Sequence, residues 1–181
     1  MGYTHYWKGS TKCSILTRAQ IIDEIGRVVK ASRHIPLADG SGEKGTRPTF
    51  SQERIDFNGV DESSHETFRV ELNKDTESEF CKTAQKPYDI LVCACLIILD
   101  HYIPTFKVSS DGDESDWQPA VELCRGVLGY GVYPCRGDDP KPESQQEAVP
   151  VKFQRAIPDE LRVKEGLCES KREEENSSPM K

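Results

Sequence analysis

Ten consecutive residues, Ile90–Leu99, carry no charge and would be apolar on every side of a helix. Pro87 suits a first helical turn and Pro104 follows its end, so the spacing predicts a helix over Lys86–Tyr102. A helix without a polar face has to be covered almost all round. The run is too short to span a bilayer. The rest of the chain is therefore expected to fold around this helix.

The covering elements can be read on either side of it. Gly2–Lys8 alternates as a strand, with Tyr3, His5 and Trp7 on one side and Thr4 and Tyr6 on the other. Thr17 with Gln20 three residues later reads as a capping box, and Ile21, Ile22, Ile25, Val28 and Val29 recur at helical spacing to about Ser32. His34–Ala38 suits an edge strand, with Pro36 barring it from a sheet centre. Arg54–Gly59 and His65–Leu72 both alternate and read as a hairpin, while Asn73–Glu79 reads as a polar connection. Phe106–Ser110 is a short strand. A last helix, capped by Ser115 or Asp116 and stopped at Gly129, buries Trp117, Ala120, Val121, Cys124, Val127 and Leu128. The order predicts an α+β fold, an antiparallel or mixed sheet with helices packed on one face. In its specific form this is a ferredoxin-like βαββαβ core with a C-terminal helix.

Composition divides the 181 residues in two. Residues 136–181 hold 11 of the 64 hydrophobic residues and a single aromatic, Phe153, among prolines and the acidic run Glu173–Glu175. They read as a disordered acidic, Pro-rich tail behind a single globular domain over residues 1–135. The net charge of -7 and the absence of a basic run argue against nucleic acid as a partner. A tail of this kind is also a place where a protein partner could dock.

Seven cysteines at irregular spacing, two of them inside the apolar run, fit buried thiols in a reducing compartment better than a disulfide framework. With no apolar leader at the start, the expectation is a cytoplasmic protein that does not associate with membranes. Gly40–Gly45 matches G-x-G-x-x-G literally, but Thr46-Arg47-Pro48 follows where a helix should open, so a surface loop is the better reading. Asp111, Asp113 and Ser115 sit where a calcium loop has its first oxygens, yet Asp116 stands in place of the glycine and the acids suit a helix cap. Cys93 and Cys95 would leave a helix in nearly opposite directions, so one zinc ion cannot easily use both. His101, near the end of the central helix, is suited to the dipole there. No cofactor and no metal is expected.

What remains is a set of polar residues crowded beside aromatic ones at strand ends and ahead of the central helix. Cys81, with Lys82 beside it and a helix to follow, is a candidate nucleophile, with His5 or His65 as its base; a small buried residue is the plainer reading. Trp7, Asn58, Lys82, Lys86, Tyr88 and Asp111 are candidates for holding a small anionic or nucleotide-like ligand, with an aromatic ring to stack on it; solvated lysines explain the charges more simply.

The stretches Gly2-Tyr3-Thr4-His5-Tyr6-Trp7, Phe57-Asn58-Gly59, His65-Glu66-Thr67-Phe68, Phe80-Cys81-Lys82-Thr83-Ala84, Lys86-Pro87-Tyr88-Asp89 and Val108-Ser109-Ser110-Asp111-Gly112 resemble a family of small uncharacterised proteins from bacteria, phages and fungi. The resemblance covers residues 1 to about 130 and implies a shared fold and site, not a reaction; Gln85 stands where a basic residue is expected. Three readings stay open: a ligand-binding domain with a polar and aromatic cleft, a hydrolase or transferase using Cys81 with a histidine, and a protein-interaction module acting through the tail.

Overall fold

The computed structural model describes residues 3–135. The tail expected over residues 136–181, with Cys168, lies outside the described residues, as does Gly2. Strand β1 (Thr4–Ser10) leads into α1 (Ile15–Ala31), then β2 (Leu37–Ala38), β3 (Thr49–Phe50), β4 (Arg54–Gly59) and β5 (Phe68–Glu71). After these come β6 (Asp75–Lys82), α2 (Asp89–Tyr102), β7 (Lys107–Ser110) and α3 (Glu114–Leu128).

The apolar run lies where the sequence requires. Leu91 through Leu99 are all buried, and α2 packs against both α1 and α3. Ser14 caps α1 in place of Thr17, its hydroxyl accepting the Thr17 N–H, so the helix begins a turn early. Asp113 caps α3 in reciprocal bonds with Asp116, so two of the acids near the apparent calcium loop serve the helix, and Gly129 closes the helix in the left-handed region at φ 86°.

The fold is α+β with antiparallel sheets. One sheet has the order β6-β1-β7; the other is centred on β4, which pairs with β2, β3 and β5. The hairpin of β4 and β5 forms in the expected register, Ile55 opposite Val70 and Phe57 opposite Phe68. The ferredoxin-like strand order is not adopted, because β6 takes the place beside β1 that the hairpin would have filled. That strand was read as a polar connection for a physical reason: among its eight residues Cys81 alone is buried, so no apolar alternation marks it.

Two features of β1 prepare the site. Its ladders put Cys81 and Ser110 opposite His5 from either side, so the three side chains share one face. A bulge after Trp7 brings Gly9 to φ 105°, where an added Cβ would lie 2.1 Å from the Thr105 carbonyl oxygen; only glycine fits.

Candidate functional site

The N-terminal end of β1 meets the C-terminal ends of β6 and β7, because both neighbours run antiparallel to it. The first turns of α2 and α3 arrive at the same end. Together they collect polar groups in a volume that is otherwise closed.

His5 is at the centre and has no exposed surface. Its Nε2 lies 2.8 Å from Asp89 Oδ1 and 3.5 Å from Cys93 Sγ. Its Nδ1 lies 3.0 Å from Ser110 Oγ, a contact set by the direct pairing of those residues between β1 and β7. Asp89 and Cys93 are four residues apart and so share a face of α2, with Cys93 Sγ 3.9 Å from Asp89 Oδ2. Thr83, fully buried, donates its hydroxyl to Asp89 Oδ1 at 2.5 Å. The turn that delivers Thr83 carries two consecutive non-glycine residues in the left-handed region, Ala84 at φ 50° and Gln85 at φ 54°. The Ser110 hydroxyl also accepts the Gly112 N–H at 3.0 Å. Asp89 keeps 12% side-chain exposure and Ser110 and Tyr3 are half-buried, so the cluster has a solvent side.

Two rings flank the His5 imidazole edge-on at 5.0 Å, Tyr3 and Trp117. Trp117 Nε1 is a buried donor with no hydrogen-bond partner, and the Tyr3 hydroxyl is buried beside Ser110. That hydroxyl is pushed up from its ordinary value by burial, and further by Cys93, Asp89 and Asp116, with a hydrogen bond from Ser110 offsetting a part. Burial likewise pushes the Cys93 thiol well up, with Asp89 adding to it. Burial is the larger cause in both cases, and Asp89 adds to each. At Gly112 a Cβ would lie 2.3 Å from Tyr3 Oη, so that glycine makes room for the ring.

Of the residues singled out from sequence, His5 belongs to the cluster. Cys81 shares its face of the sheet, but the thiol turns to the Glu66 carbonyl oxygen at 3.4 Å. Burial pushes that thiol up to about 12, opposite to what a nucleophile at neutral pH needs. His65 is exposed, its Nδ1 2.8 Å from the Lys82 carbonyl oxygen. Trp7 is buried against Phe68; Tyr88 has no exposed surface, and its hydroxyl donates to the Glu66 carbonyl oxygen at 2.7 Å. Neither ring has a free face for stacking. Asn58 is buried and stitches the loop after β4, donating to the His65 carbonyl oxygen and accepting the His65 and Gly59 N–H groups. Lys86 Nζ donates to the Glu62 carbonyl oxygen at 2.8 Å, Lys82 lies over the Phe80 ring, and Asp111 is exposed. An open concavity of about 540 Å³, lined by Thr49, Ser51, Glu53, Arg54, Glu71, Leu72 and Lys74, contains none of these residues.

Sequence reasoning gives no site role to Tyr3, Cys93, Ser110 or Trp117, and holds Thr83 and Asp89 only as members of the stretches Phe80–Ala84 and Lys86–Asp89. The i, i+4 spacing of Asp89 and Cys93 was the available signal, hidden because Cys93 was weighed against Cys95. His5, Asp89 and Cys93 are also a buried set of metal-ligand types whose donor atoms all lie within 4.8 Å of one another. Among the described residues no helix is long and apolar enough to cross a membrane. Comparison with protein families, with curated proteins and with solved structures returned no match.

Proposed function

We propose that the chain binds a small molecule at the His5 end of the β6-β1-β7 sheet, and that the ligand presents a hydrogen-bond-accepting oxygen there. The supporting observation is a buried donor without an acceptor, Trp117 Nε1, on one of the two rings that flank His5, with the buried Tyr3 hydroxyl on the other. A buried donor left unpaired costs about 1–3 kcal/mol, and a ligand oxygen would remove that cost. A bare anion would meet Asp89 and Asp116, while Lys82 and Lys86 are engaged elsewhere. An uncharged carbonyl or amide oxygen suits the site better, or an anion that arrives with a cation. Thermal-shift titration with acetamide, acetate, nucleotides and sugar phosphates tests this. A ligand at a hundred times its Kd stabilises by about 2.7 kcal/mol; that shift should shrink in Tyr3→Phe. Wild-type melting that no compound moves at millimolar concentration refutes the reading.

A second reading, of the hydrolase or transferase class, draws on Ser110. With Nδ1 as acceptor and Nε2–H donating to Asp89, the imidazole could take the Ser110 proton and leave Oγ as nucleophile. Labelling of Ser110 by a fluorophosphonate, lost in His5→Gln, is its expected signature, and an unlabelled Ser110 sinks it.

A further inference from the structure

We propose that His5, Asp89 and Cys93 form a site for one zinc-class divalent ion, with one coordination position left for an oxygen ligand. The inference rests on the small-molecule reading in placing a ligand beside His5.

The donor set is selective. A thiolate, an imidazole and a carboxylate suit Zn2+ and its near neighbours, whereas magnesium and calcium take oxygen alone. The spacing fits as well. Zinc bonds to sulfur, nitrogen and oxygen set tetrahedral edges of roughly 3.3–3.6 Å between donors. Cys93 Sγ stands 3.5 Å and Asp89 Oδ1 2.8 Å from His5 Nε2, and one donor atom from each of the three residues lies within 4.8 Å of the others. To hold an ion through Oδ1, the carboxylate has to open from Nε2 by roughly half an ångström.

Partners that orient such ligands are also in place. A ligating histidine normally gives its other ring N–H to a fixed acceptor, and a ligating carboxylate is itself hydrogen-bonded. Ser110 Oγ stands at Nδ1 and Thr83 Oγ1 donates to Asp89. The Ser110 hydroxyl can accept both the Nδ1–H and the Gly112 N–H and still donate toward the Thr4 carbonyl oxygen at 3.5 Å, which uses its full inventory. Three protein ligands leave one position of a tetrahedron for water or a ligand oxygen, and the Tyr3 ring, with its buried hydroxyl, stands 5.0 Å from the His5 imidazole. On binding, the Cys93 S–H bond breaks, its electron pair forms the metal–sulfur bond and the proton leaves to solvent. A ligated Nε2 fixes the proton on Nδ1, so Ser110 then has no base; the ion and the Ser110 nucleophile exclude each other.

The test uses the full chain, stripped with chelator and titrated with Co2+. The expected result is one ion per chain with a thiolate-to-cobalt charge-transfer band and the intense visible bands of four-coordination. Cys93→Ser should abolish the charge-transfer band, and Cys81→Ser should leave it. Ser110→Ala, which alters no ligand, should keep the band and weaken Zn2+ competition by about 10–100-fold. A band that survives in folded Cys93→Ser overturns the site, as does a folded wild type that gives no band. If Cys93→Ser fails to fold, wild type and Ser110→Ala still decide, since unchanged Zn2+ affinity in Ser110→Ala also counts against it. A cobalt band without any response to the small molecules upholds the ion and sinks the small-molecule reading. Small-molecule binding lost in Tyr3→Phe, with no cobalt band, does the reverse.

Discussion

Replacing Thr83 by valine exchanges its hydroxyl for a methyl group and removes one hydrogen bond from the site. The side chain is fully buried, and its hydroxyl donates to Asp89 Oδ1 at 2.5 Å, while its backbone N–H continues to serve the Tyr3 carbonyl oxygen. Valine keeps the branch at Cβ and the same χ1 stiffness. A hydrogen bond to a charged group is worth about 1.5–3 kcal/mol. Asp89 Oδ1 retains its contact with His5 Nε2 and is not orphaned, so the loss falls near the lower bound, about 1.5–2 kcal/mol. With a urea slope of roughly 1.5–2 kcal/mol per molar, the midpoint should fall by about 1 M with the slope unchanged. Thr83→Ser separates the hydroxyl from the methyl: it keeps the donor, loses one buried carbon and should cost about 0.8 kcal/mol. Valine should therefore cost about twice what serine does. Serine costing as much as valine, or valine costing nothing, would show that Asp89 is not held by this bond.

Two further outcomes follow from strain and charge elsewhere. Ala84→Gly relieves a left-handed residue and should raise stability by about 0.5–1 kcal/mol in the same urea assay; a loss of stability would mean that the turn before α2 is unstrained. Glu24 is raised from its ordinary 4.5 mainly by burial, which the hydroxyls of Tyr130 and Tyr102 only partly offset. An acid raised in the folded state holds its proton more tightly there, so its contribution is present below 4.5 and is lost as pH climbs through the raised value. Wild-type stability should thus decline from mildly acid pH toward neutrality, and Glu24→Gln should flatten that decline. Parallel slopes for the two proteins would refute the assignment.

What could be read from the chain depended on where side chains face. The helices were legible because burial on one side writes a period of three to four, and α2 because it has no outside at all. The hairpin was legible because Ile55, Phe57, Phe68 and Val70 face one core. Strand β6 was illegible for the converse reason: its backbone pairs with β1 while nearly every side chain faces water, so pairing left no trace in hydrophobicity. Missing it cost the sheet order, and with that the link between the segments that carry Tyr3, Thr83 and Asp89. Several site residues do lie inside stretches picked out beforehand, such as Thr4-His5-Tyr6-Trp7 and Phe80 through Asp89. The inward members of those stretches form the cluster; Lys82, over the Phe80 ring, and Lys86, bonded to the Glu62 carbonyl oxygen, lie outside it.

Packing explains part of the cluster and stops short of the rest. Asp89 opens α2, where a negative charge favours the positive end of the helix dipole. That accounts for an acid at this position. It does not account for a histidine without exposed surface held at both ring nitrogens, a thiol turned toward it, and a neighbouring indole whose donor finds nothing to bind. A buried polar network of this kind is commonly no more stabilising than apolar side chains of the same volume, and α2 has isoleucine, leucine and valine at almost every other inward position. One end of the β6-β1-β7 sheet thus carries a nitrogen, a sulfur and a carboxylate within 4.8 Å of one another, with an unpaired indole N–H nearby. The proposed ligand and ion would engage the whole set, whereas the helix dipole accounts for one member of it.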